Sequence, residues 1–383
     1  MLLTIDFPPA RGGVQTMLGQ LALALASSCE IMVVTPAQAG DARWDARQPY
    51  AVRRSSASSR RVGRMTGIHA HALLEVARRR PDVVVCGHVL LGPVCRLLSA
   101  VVRVPYVAIA YAYEARAPRR RSIAGLTLRG ARHVVALSDF GRDVVRSHGV
   151  AESAVSVIHP GVSPCLAGVD VRPGGEGSAG SDAGQSGSPP PAGAERIVLT
   201  VGRLVDDYKG HDMVVRAMPL ILARVPEARY VVVGDGPLRH SLERLARALD
   251  VAHAVRFVGE VSDAELDRWY RASEVFVLAA RETAADGGAE GFGIACVEAS
   301  ARGVPVVGGC SGGIPDAVID GRTGLLVDPL DSGEIAEAVI RLLTEPALAS
   351  RLGREGRRRA REELTWPRAA DRFAEILARV ASG

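Results

Sequence analysis

Residues 196–237 read RIVLTVGRLVDDYKGHDMVVRAMPLILARVPEARYVVVGDGP, and this stretch decides the fold class. The apolar runs Ile197–Val201 and Arg229–Val233 have the length and the valine content of buried strands. The segment Asp212–Ala223 between them has the pattern of a helix. A strand, a helix and a second strand in this order predict two parallel strands joined by a helical crossover.

The same alternation of strand and helix fills most of the remaining chain, which predicts an α/β protein with helices on both faces of parallel sheets. Further strands are predicted at Met1–Ile5, Ile31–Thr35, Asp82–Cys86, Tyr106–Ile109, His133–Leu137, Val155–Ile158, Val255–Val258, Val275–Leu278, Val304–Val307 and Leu325–Val327. Helices are predicted at Gln15–Ser27, His69–Arg79, Leu90–Val101, Phe140–His148, Leu238–Ala248, Asp263–Arg271, Gly293–Arg302 and Ser332–Leu343, and almost throughout the chain after Pro346, with a restart near Trp366.

One segment interrupts this alternation and divides the chain. Residues 168–194 consist almost entirely of Gly, Ser, Ala, Pro and Asp, which cannot bury apolar surface and predict a flexible linker. We therefore predict an N-terminal domain at 1–165, a linker at 166–195, a C-terminal domain at 196–365 and a final helix at 366–383. Ligands are expected in a cleft between two such doubly wound domains, at the carboxyl ends of their strands.

Composition excludes several classes of protein. Of the 47 basic residues, 46 are arginine and only Lys209 is lysine, so the net charge of +5 is read as an arginine-rich solvated surface. Aromatic residues make up 4% of the chain and form no platform for nucleic acid. The six cysteines are scattered without a C-x-x-C pair, which disfavours zinc and disulfide scaffolds. We see no signal peptide and no apolar run of about 18 residues, and we expect a cytoplasmic protein.

A glycine pair follows the first predicted strand and opens the first predicted helix. Gly12 and Gly13 would let the backbone approach a ligand, and the N–H groups of the helix could face an anion. An ordinary tight turn explains the pair equally well. Gly234 and Gly236 hold a similar place in the second half, but the third glycine of a dinucleotide motif is replaced by Arg239.

Two cations, Arg203 and Lys209, share the loop between a predicted strand and a predicted helix. Arginine offers a planar fork and lysine a compact charge with rotatable donors, so the two together suit a diphosphate. The alternative is a pair of solvated surface charges. Because this chain uses arginine almost everywhere else, a lysine at this position favours the functional interpretation.

The segment Glu290–Glu298 has the spacing E-x7-E around the start of a predicted helix. If that helix begins near Gly293, its free N–H groups could bind an anion, and Glu298 would lie within the helix. The two carboxylates would meet different parts of one extended ligand. Alternatively, Glu290 balances the helix dipole and Glu298 faces solvent.

Taken in order, these motifs resemble the retaining GT-B glycosyltransferases of glycosyltransferase family 4. The resemblance covers almost the whole chain. It is carried by Pro8–Gly13, Ala136–Phe140, Ile158–Val162, Val201–Leu204 with Lys209 and Gly210, Val232–Gly236, Glu290–Glu298, Gly312–Asp316 and Thr323–Val327. The fold that it implies is GT-B, with two Rossmann-like domains facing a central cleft and a C-terminal helix that crosses back to the N-terminal domain.

The resemblance also implies the roles of the site residues. Arg203 and Lys209 would bind the diphosphate of a nucleotide sugar, and Glu298 would hold the ribose. Glu290 would contact the transferred sugar. The backbone N–H groups of Phe292, Gly293 and Ile294 would lie nearby, and Gly12 and Gly13 would close over the donor from the N-terminal domain. No cofactor and no metal site are implied.

The chain departs from the family pattern at one position. Family members commonly carry a His-Gly pair near the transferred sugar, followed by an acid, and here the segment is Ala110–Glu114, with Tyr111 in place of that histidine. This replacement by Tyr111 would imply an unusual donor or acceptor. His88 after another strand is a second candidate for the cleft, with a strand-end turn as the alternative explanation.

We therefore expect a retaining, metal-independent glycosyltransferase that moves a sugar from a UDP- or GDP-sugar to a hydroxyl group. A small soluble acceptor, such as an aminocyclitol or another natural product, is favoured. The alternatives are a phospholipid mannosyltransferase at a membrane surface, a nucleotide-sugar epimerase and a non-catalytic nucleotide-sugar-binding protein. Arginine clusters in the N-terminal half are the feature that would suit peripheral contact with an anionic membrane.

Overall fold

The computed structural model describes residues 1–55, 61–162, 195–283 and 287–383, with the backbone alone for 61–64. The predicted linker at 166–195 lies outside these ranges, apart from Glu195. The chain divides into two compact units. The first holds Met1–Gly161, Gly287 and Trp366–Gly383, and the second holds the other described residues from Val162 to Thr365.

The first unit contains a parallel sheet of seven strands. The strands are β1 (Leu2–Leu3), β2 (Met32–Pro36), β3 (Ala51–Ser55), β4 (Val84–Cys86), β5 (Tyr106–Ala110), β6 (His133–Ala136) and β7 (Val155–Val157). The helices between them are α1 (Gly13–Leu25), α2 (Asp41–Asp45), α3 (Arg61–Arg79), α4 (Gly92–Val101), α5 (Ala112–Arg116), α6 (Arg121–Gly130) and α7 (Asp139–Ser147).

The second unit contains a parallel sheet of six strands. The strands are β8 (Arg196–Val201), β9 (Ala228–Val233), β10 (Val255–Gly259), β11 (Val275–Leu278), β12 (Val306–Gly309) and β13 (Gly324–Val327). The helices are α8 (His211–Arg224), α9 (Arg239–Ala248), α10 (Asp263–Ala272), α11 (Ile294–Ala301), α12 (Ile314–Ala317), α13 (Ser332–Thr344) and α14 (Pro346–Glu362), and α15 (Trp366–Ser382) ends the chain in the first unit.

The order of the strands determines where each unit offers a binding crevice. It is β3-β2-β1-β4-β5-β6-β7 in the first sheet and β10-β9-β8-β11-β12-β13 in the second. In both sheets the order reverses beside the first strand, between β1 and β4 and between β8 and β11. Ligands of doubly wound sheets bind at the carboxyl ends of the strands at such a reversal. The predicted α/β class with two Rossmann-like sheets is confirmed.

Strands with continuous apolar sequence are buried on both faces. All five residues of β5 are buried, because helices cover both sides of the sheet. The edge strand β3 carries Arg53 and Arg54 and is partly exposed along its length. The sequence pattern therefore predicts no strand at β3, and it predicts no helix at α2, α5, α6 or α12.

The final helix packs against the first unit, as predicted. Trp366, Phe373, Ile376 and Val380 are buried on one face of α15, which contacts α1. The helical region expected after Pro346 consists of two helices, because α14 ends at Glu362 and α15 begins at Trp366. Within the described ranges, no helix is long and apolar enough to cross a membrane.

Candidate active site

The loop that follows β8 brings Lys209 to the carboxyl edge of the second sheet. A single 3-10 turn at Asp207–Lys209 ends at Gly210, whose φ of 73° is in the left-handed region. A Cβ at Gly210 would collide with the carbonyl oxygen of Ala279, at the end of β11. Glycine is therefore required here, and it lets the loop lie directly against β11, at the reversal of strand order.

Lys209 forms a close ion pair with Glu290. The Nζ atom lies 2.5 Å from Oε2 of Glu290, and the two side chains are 20% and 14% exposed. Burial opposes the charged form of Lys209, but the Glu290 carboxylate outweighs it and raises the pKa of Lys209. Burial likewise opposes ionisation of Glu290, yet Lys209 and two backbone N–H groups lower its pKa. Both groups are therefore charged near neutral pH.

The Glu290 carboxylate also lies on the N-terminus of α11. Its Oε1 atom accepts a hydrogen bond of 3.3 Å from the N–H of Gly293, which caps the helix with a φ of 94°. The predicted helix start near Gly293 is thus correct. Phe292 is buried, and Ile294 is the first residue of the helix. The Glu290 carboxylate thus both balances the dipole of α11 and pairs with Lys209.

A glycine pair fixes the backbone of Glu290. The N–H of Gly313 donates to the carbonyl oxygen of Glu290 at 2.8 Å. A Cβ at Gly312 would lie 2.7 Å from that same oxygen, and one at Gly313 would collide with the carbonyl oxygen of Gly291. The Gly312–Gly313 turn, which the sequence showed as part of the family pattern, therefore places the catalytic candidate through close backbone contact.

Glu298 is the fifth residue of α11 and has a different partner. Its Oε2 atom accepts a 2.9 Å hydrogen bond from the hydroxyl of Tyr270, on α10. The guanidinium of Arg302 lies 4.5 Å from the centre of the Tyr270 ring. Burial raises the pKa of Glu298 in spite of the Tyr270 hydrogen bond. Glu298 is half-buried, and its carboxylate is held by Tyr270 and not only by solvent.

The structure does not bring Arg203 into this cluster. Its side chain is exposed on the loop after β8 and forms no ion pair with any residue that the structure describes. Of the three residues predicted to carry catalysis, Lys209 and Glu290 are in contact. Arg203 precedes Lys209 in the same loop, and its side chain is exposed to solvent.

The first unit has a polar cluster at the equivalent edge of its own sheet. Asp6 follows β1, His88 follows β4, and Glu114 lies in the short helix after β5. Gly12, with a φ of 149°, caps α1, and Gly13 is the first residue of that helix. Gln15 in the first turn of α1 donates a 3.0 Å hydrogen bond to Asp6. The predicted glycine pair therefore opens α1 next to an acidic residue.

His88 is a buried hydrogen-bonding residue within this cluster. Its Nδ1 atom accepts the N–H of Leu90 at 3.1 Å, and its Nε2 atom lies 2.9 Å from Oε1 of Glu114 and 3.9 Å from Asp6. Because Nδ1 accepts, the ring proton is on Nε2 and is donated to Glu114. Ligand atoms of these three residues lie within 4.8 Å of one another, but a protonated Nε2 has no lone pair for a metal ion.

Tyr111 is the residue that stands in place of the family's histidine. Its side chain is only 3% exposed, and its hydroxyl has no hydrogen-bond partner among the described residues. Burial raises the pKa of Tyr111, and the carboxylates of Glu114 and Asp6 add to that effect. The hydroxyl is therefore a buried donor near two acids and has its hydrogen-bonding capacity unused.

Several residues of these clusters were not singled out from the sequence. Asp6 and Glu114 were passed over, although both closely follow predicted strands, and that position was the available signal. Tyr208, whose ring centre lies 5.3 Å from Nζ of Lys209, could have been found as its neighbour. No sequence pattern pointed to Tyr270, because it contacts Glu298 only through the packing of α10 against α11.

Comparison with known proteins decides the family. The family model described as "Glycosyltransferase Family 4" matches residues 11–164, and the model described as "Glycosyl transferases group 1" matches residues 185–359. This chain belongs to glycosyltransferase family 4. A GDP-mannose-dependent alpha-(1-6)-phosphatidylinositol monomannoside mannosyltransferase of Mycolicibacterium smegmatis is 32% identical over 391 residues, which cover 98% of this chain and 97% of the relative. A D-inositol 3-phosphate glycosyltransferase of Catenulispora acidiphila is 35% identical over 62% of this chain and 53% of the relative.

Solved structures confirm the GT-B fold of this glycosyltransferase. Anabaena Alr3699/HepE in complex with UDP and glucose matches with a TM-score of 0.78 at 18% identity, over 99% of each chain. Sucrose-phosphate synthase from Thermosynechococcus elongatus matches with a TM-score of 0.79 at 22% identity, over 100% of this chain and 98% of that one. The chain is a hexosyltransferase that takes its sugar from a nucleotide sugar. Family membership thus favours transfer over the epimerase and the non-catalytic alternatives.

Proposed function

We propose that this glycosyltransferase is a retaining mannosyltransferase that uses GDP-mannose and glycosylates a hydroxyl group of an inositol-bearing acceptor. The contact between Lys209 and Glu290 at the N-terminus of α11 carries the proposal of a donor site. GDP-mannose is preferred because it is named for the relatives that match over nearly the whole chain. An inositol ring is the element that the names of these relatives share with the shorter matches.

The donor diphosphate would be bound by cations and by backbone N–H groups. Lys209 and the exposed Arg203 supply the positive charge, and the N–H groups of Phe292, Gly293 and Ile294 lie at the start of α11. Glu298 holds the ribose hydroxyls. Charge that develops on the departing diphosphate is then stabilised by groups that are already in place.

Glu290 would contact hydroxyls of the transferred mannose, with its carboxylate oriented by Lys209 and Gly293. The bond between the anomeric carbon and the diphosphate oxygen breaks, and a bond to the acceptor oxygen forms on the same face. The products are the α-mannoside, GDP and the proton of the acceptor hydroxyl. We assign no residue as an enzymic nucleophile.

In the first unit, the backbone N–H groups of Gly12 and Gly13 at the start of α1 and the hydroxyl of Tyr111 would bind ligand groups. His88 donates a hydrogen bond to Glu114, whose negative charge contributes to the raised pKa of Tyr111. Lys209 and Arg203 supply the charge that a divalent cation supplies in other transferases, so we propose that transfer needs no metal and that EDTA leaves its rate unchanged.

Two kinds of acceptor carry an inositol ring, and an assay separates them. Purified protein is incubated with GDP-mannose and either phosphatidylinositol monomannoside in detergent micelles, D-inositol 3-phosphate, or an aminocyclitol, with UDP-glucose as the competing donor. Transfer to the lipid would favour a membrane acceptor, and transfer to inositol phosphate or the aminocyclitol would favour the small soluble acceptor expected from the sequence. NMR of the product reports the anomeric configuration.

A Glu290→Ala variant provides the control for this assay. We expect transfer to fall by at least a hundredfold while the variant remains folded by circular dichroism. Near wild-type transfer by Glu290→Ala would exclude the proposed site. Transfer from UDP-glucose but not from GDP-mannose would exclude the proposed donor and leave the site intact.

A further inference from the structure

A buried histidine beside Lys209 is used by none of the roles given above. His211 is the first residue of α8 and is 3% exposed. It is separated from Lys209 by Gly210 alone, so its side chain starts at the same loop as the cation proposed for the diphosphate. A buried imidazole in this position needs an account of both of its ring nitrogens.

The hydrogen bonds behind His211 determine which nitrogen carries the proton. The hydroxyl of Thr200 donates to the carbonyl oxygen of Val277 at 2.6 Å, and a carbonyl can only accept. The hydroxyl of Tyr230 therefore gives its single proton to Thr200, at 3.1 Å. The Tyr230 oxygen is left as an acceptor for His211, whose Nδ1 lies 3.4 Å away. Nδ1 thus carries the ring proton, and Nε2 presents a lone pair.

The Nε2 atom of His211 is an acceptor without a donor. It is buried and has no hydrogen-bond partner among the described residues. Burial, together with the charge of Lys209, lowers the pKa of His211 to about 3, so the ring stays neutral and the lone pair stays available at physiological pH. A buried acceptor in this condition costs free energy that a hydrogen-bond donor would recover.

The Nε2 atom lies beside Gly202 and the side chain of Lys209. A Cβ built on Gly202 would lie 3.8 Å from Nε2 and 3.8 Å from Cδ of Lys209. Gly202 is the residue between β8 and Arg203. A methyl group on Gly202 would therefore be in ordinary van der Waals contact with the imidazole and the lysine stem, so the backbone that leads to Arg203 lies directly beside Nε2.

We propose that Nε2 of His211 is a further binding residue of the donor site, and that it accepts a hydrogen bond from an O–H group placed beside Gly202 when the donor binds. This proposal rests on the proposed function. The O–H group has two chemical sources: a hydroxyl of the transferred sugar, or a water molecule that gives its second proton to the diphosphate. A diphosphate oxygen alone does not fit, because it offers no proton to a neutral acceptor.

Two substitutions of His211 separate the role of Nε2 from that of Nδ1. Asparagine places an amide N–H near the position of Nδ1 and removes the acceptor at Nε2. Glutamine places an amide oxygen near the position of Nε2 and removes the bond to Tyr230. A purely structural histidine would lose stability in the glutamine variant, whereas a ligand-binding Nε2 makes the asparagine variant the weaker binder.

A third substitution adds bulk beside Nε2 and leaves the imidazole itself unchanged. Gly202→Ala adds one methyl group, whose nearest neighbours would be at ordinary contact distance, and Gly202 has no left-handed φ that alanine would strain. The fold should therefore tolerate it while the O–H group is displaced. Because both changes remove the same interaction, the double variant His211→Asn with Gly202→Ala should bind no more weakly than either single variant.

The test is the Kd of GDP and of GDP-mannose by calorimetry, with thermal unfolding of every variant. We expect His211→Asn and Gly202→Ala to raise the Kd about fivefold with unchanged melting temperatures. We expect His211→Gln to bind within twofold of wild type with a lower melting temperature. An increase for both ligands identifies a water on the diphosphate, and an increase for GDP-mannose alone identifies a sugar hydroxyl.

The results that overturn the proposal are distinct from those that overturn the proposed function. Wild-type affinity of His211→Asn for both ligands, or equal weakening by His211→Gln and His211→Asn, would contradict a role for Nε2. If the wild-type protein itself binds neither GDP nor GDP-mannose, the proposed donor is wrong, and the inference about His211 falls with it.

Discussion

The Nζ atom of Lys209 lies 2.5 Å from Oε2 of Glu290, across 81 residues of sequence. The other oxygen of the same carboxylate accepts a hydrogen bond from the N–H of Gly293. Glu290 is therefore bound to both groups that the proposed diphosphate would use, the Lys209 cation and the N-terminus of α11. A donor must therefore share or displace these contacts when it binds. The pair thus makes the site sensitive to the geometry of its cation as well as to its charge.

The first prediction concerns the exchange of Lys209 for arginine. A planar guanidinium fork has a different shape from the compact ammonium group of Lys209, which lies 5.3 Å from the ring centre of Tyr208, and it would pair with Glu290 in a different geometry. We expect Lys209→Arg to lower kcat/KM for donor transfer at least tenfold, measured by steady-state kinetics. Arg216→Lys, at an exposed position of α8, is the matched control and should leave the rate unchanged. Transfer within twofold of wild type would show that charge alone suffices at position 209.

The sequence predicted the sheets well, because parallel strands buried on both faces are short runs rich in valine. It failed at β3, where Arg53 and Arg54 break the apolar pattern of an edge strand. The residues proposed for the site were found from glycines and charges next to strand ends. Their partners were harder to find, since Tyr270 meets Glu298 from a different helix and no local pattern connects them.

The second prediction is the pH dependence of the ion pair. The pKa of Glu290 is lowered on folding, so its contribution to stability is present above its ordinary value of 4.5 and is lost as the pH falls through the lowered pKa. The pKa of Lys209 is raised, so its contribution is present below its ordinary value of 10.5 and is lost as the pH rises through the raised pKa.

Urea unfolding at a series of pH values measures this effect. The free energy of unfolding of wild type should exceed that of Glu290→Gln by a constant amount between about pH 5 and pH 9. The difference should shrink below pH 4.5, because the unfolded chain takes up a proton at Glu290 before the folded protein does. Glu337→Gln, on the exposed side of α13, controls for the loss of a carboxylate. A difference that grows toward low pH would contradict the direction of the shift.

The third prediction separates stability from binding at Glu298. Burial raises the pKa of Glu298, so its ionisation destabilises the folded state, and this penalty appears as the pH rises above 4.5 through the raised pKa. We expect Glu298→Gln to unfold at a higher urea concentration than wild type at pH 7 and at the same concentration below pH 4. Its KM for the donor should rise about tenfold, because the carboxylate that is proposed to hold the ribose is gone.

Tyr270→Phe is the control for Glu298. It removes the hydroxyl that donates to Oε2 but leaves the carboxylate, so its KM should change less than that of Glu298→Gln while its stability falls. An unchanged KM in Glu298→Gln would remove Glu298 from the donor site. A rise in stability without loss of affinity would mark it as a purely structural residue.

The fourth prediction uses the unpaired hydroxyl of Tyr111. A buried hydroxyl without a partner lowers stability, so Tyr111→Phe should raise the free energy of unfolding by about 1 kcal/mol. Tyr106, at the other end of β5, is equally buried, but its hydroxyl donates to the carbonyl oxygen of Thr127 at 2.6 Å. Tyr106→Phe should therefore lower the free energy of unfolding by about 1 kcal/mol.

If the hydroxyl of Tyr111 binds a ligand, Tyr111→Phe gains stability and loses at least tenfold in kcat/KM, whereas Tyr106→Phe keeps its activity at temperatures where it is folded. A Tyr111→Phe protein that is both destabilised and fully active would show that the hydroxyl has a structural partner and no contact with substrate.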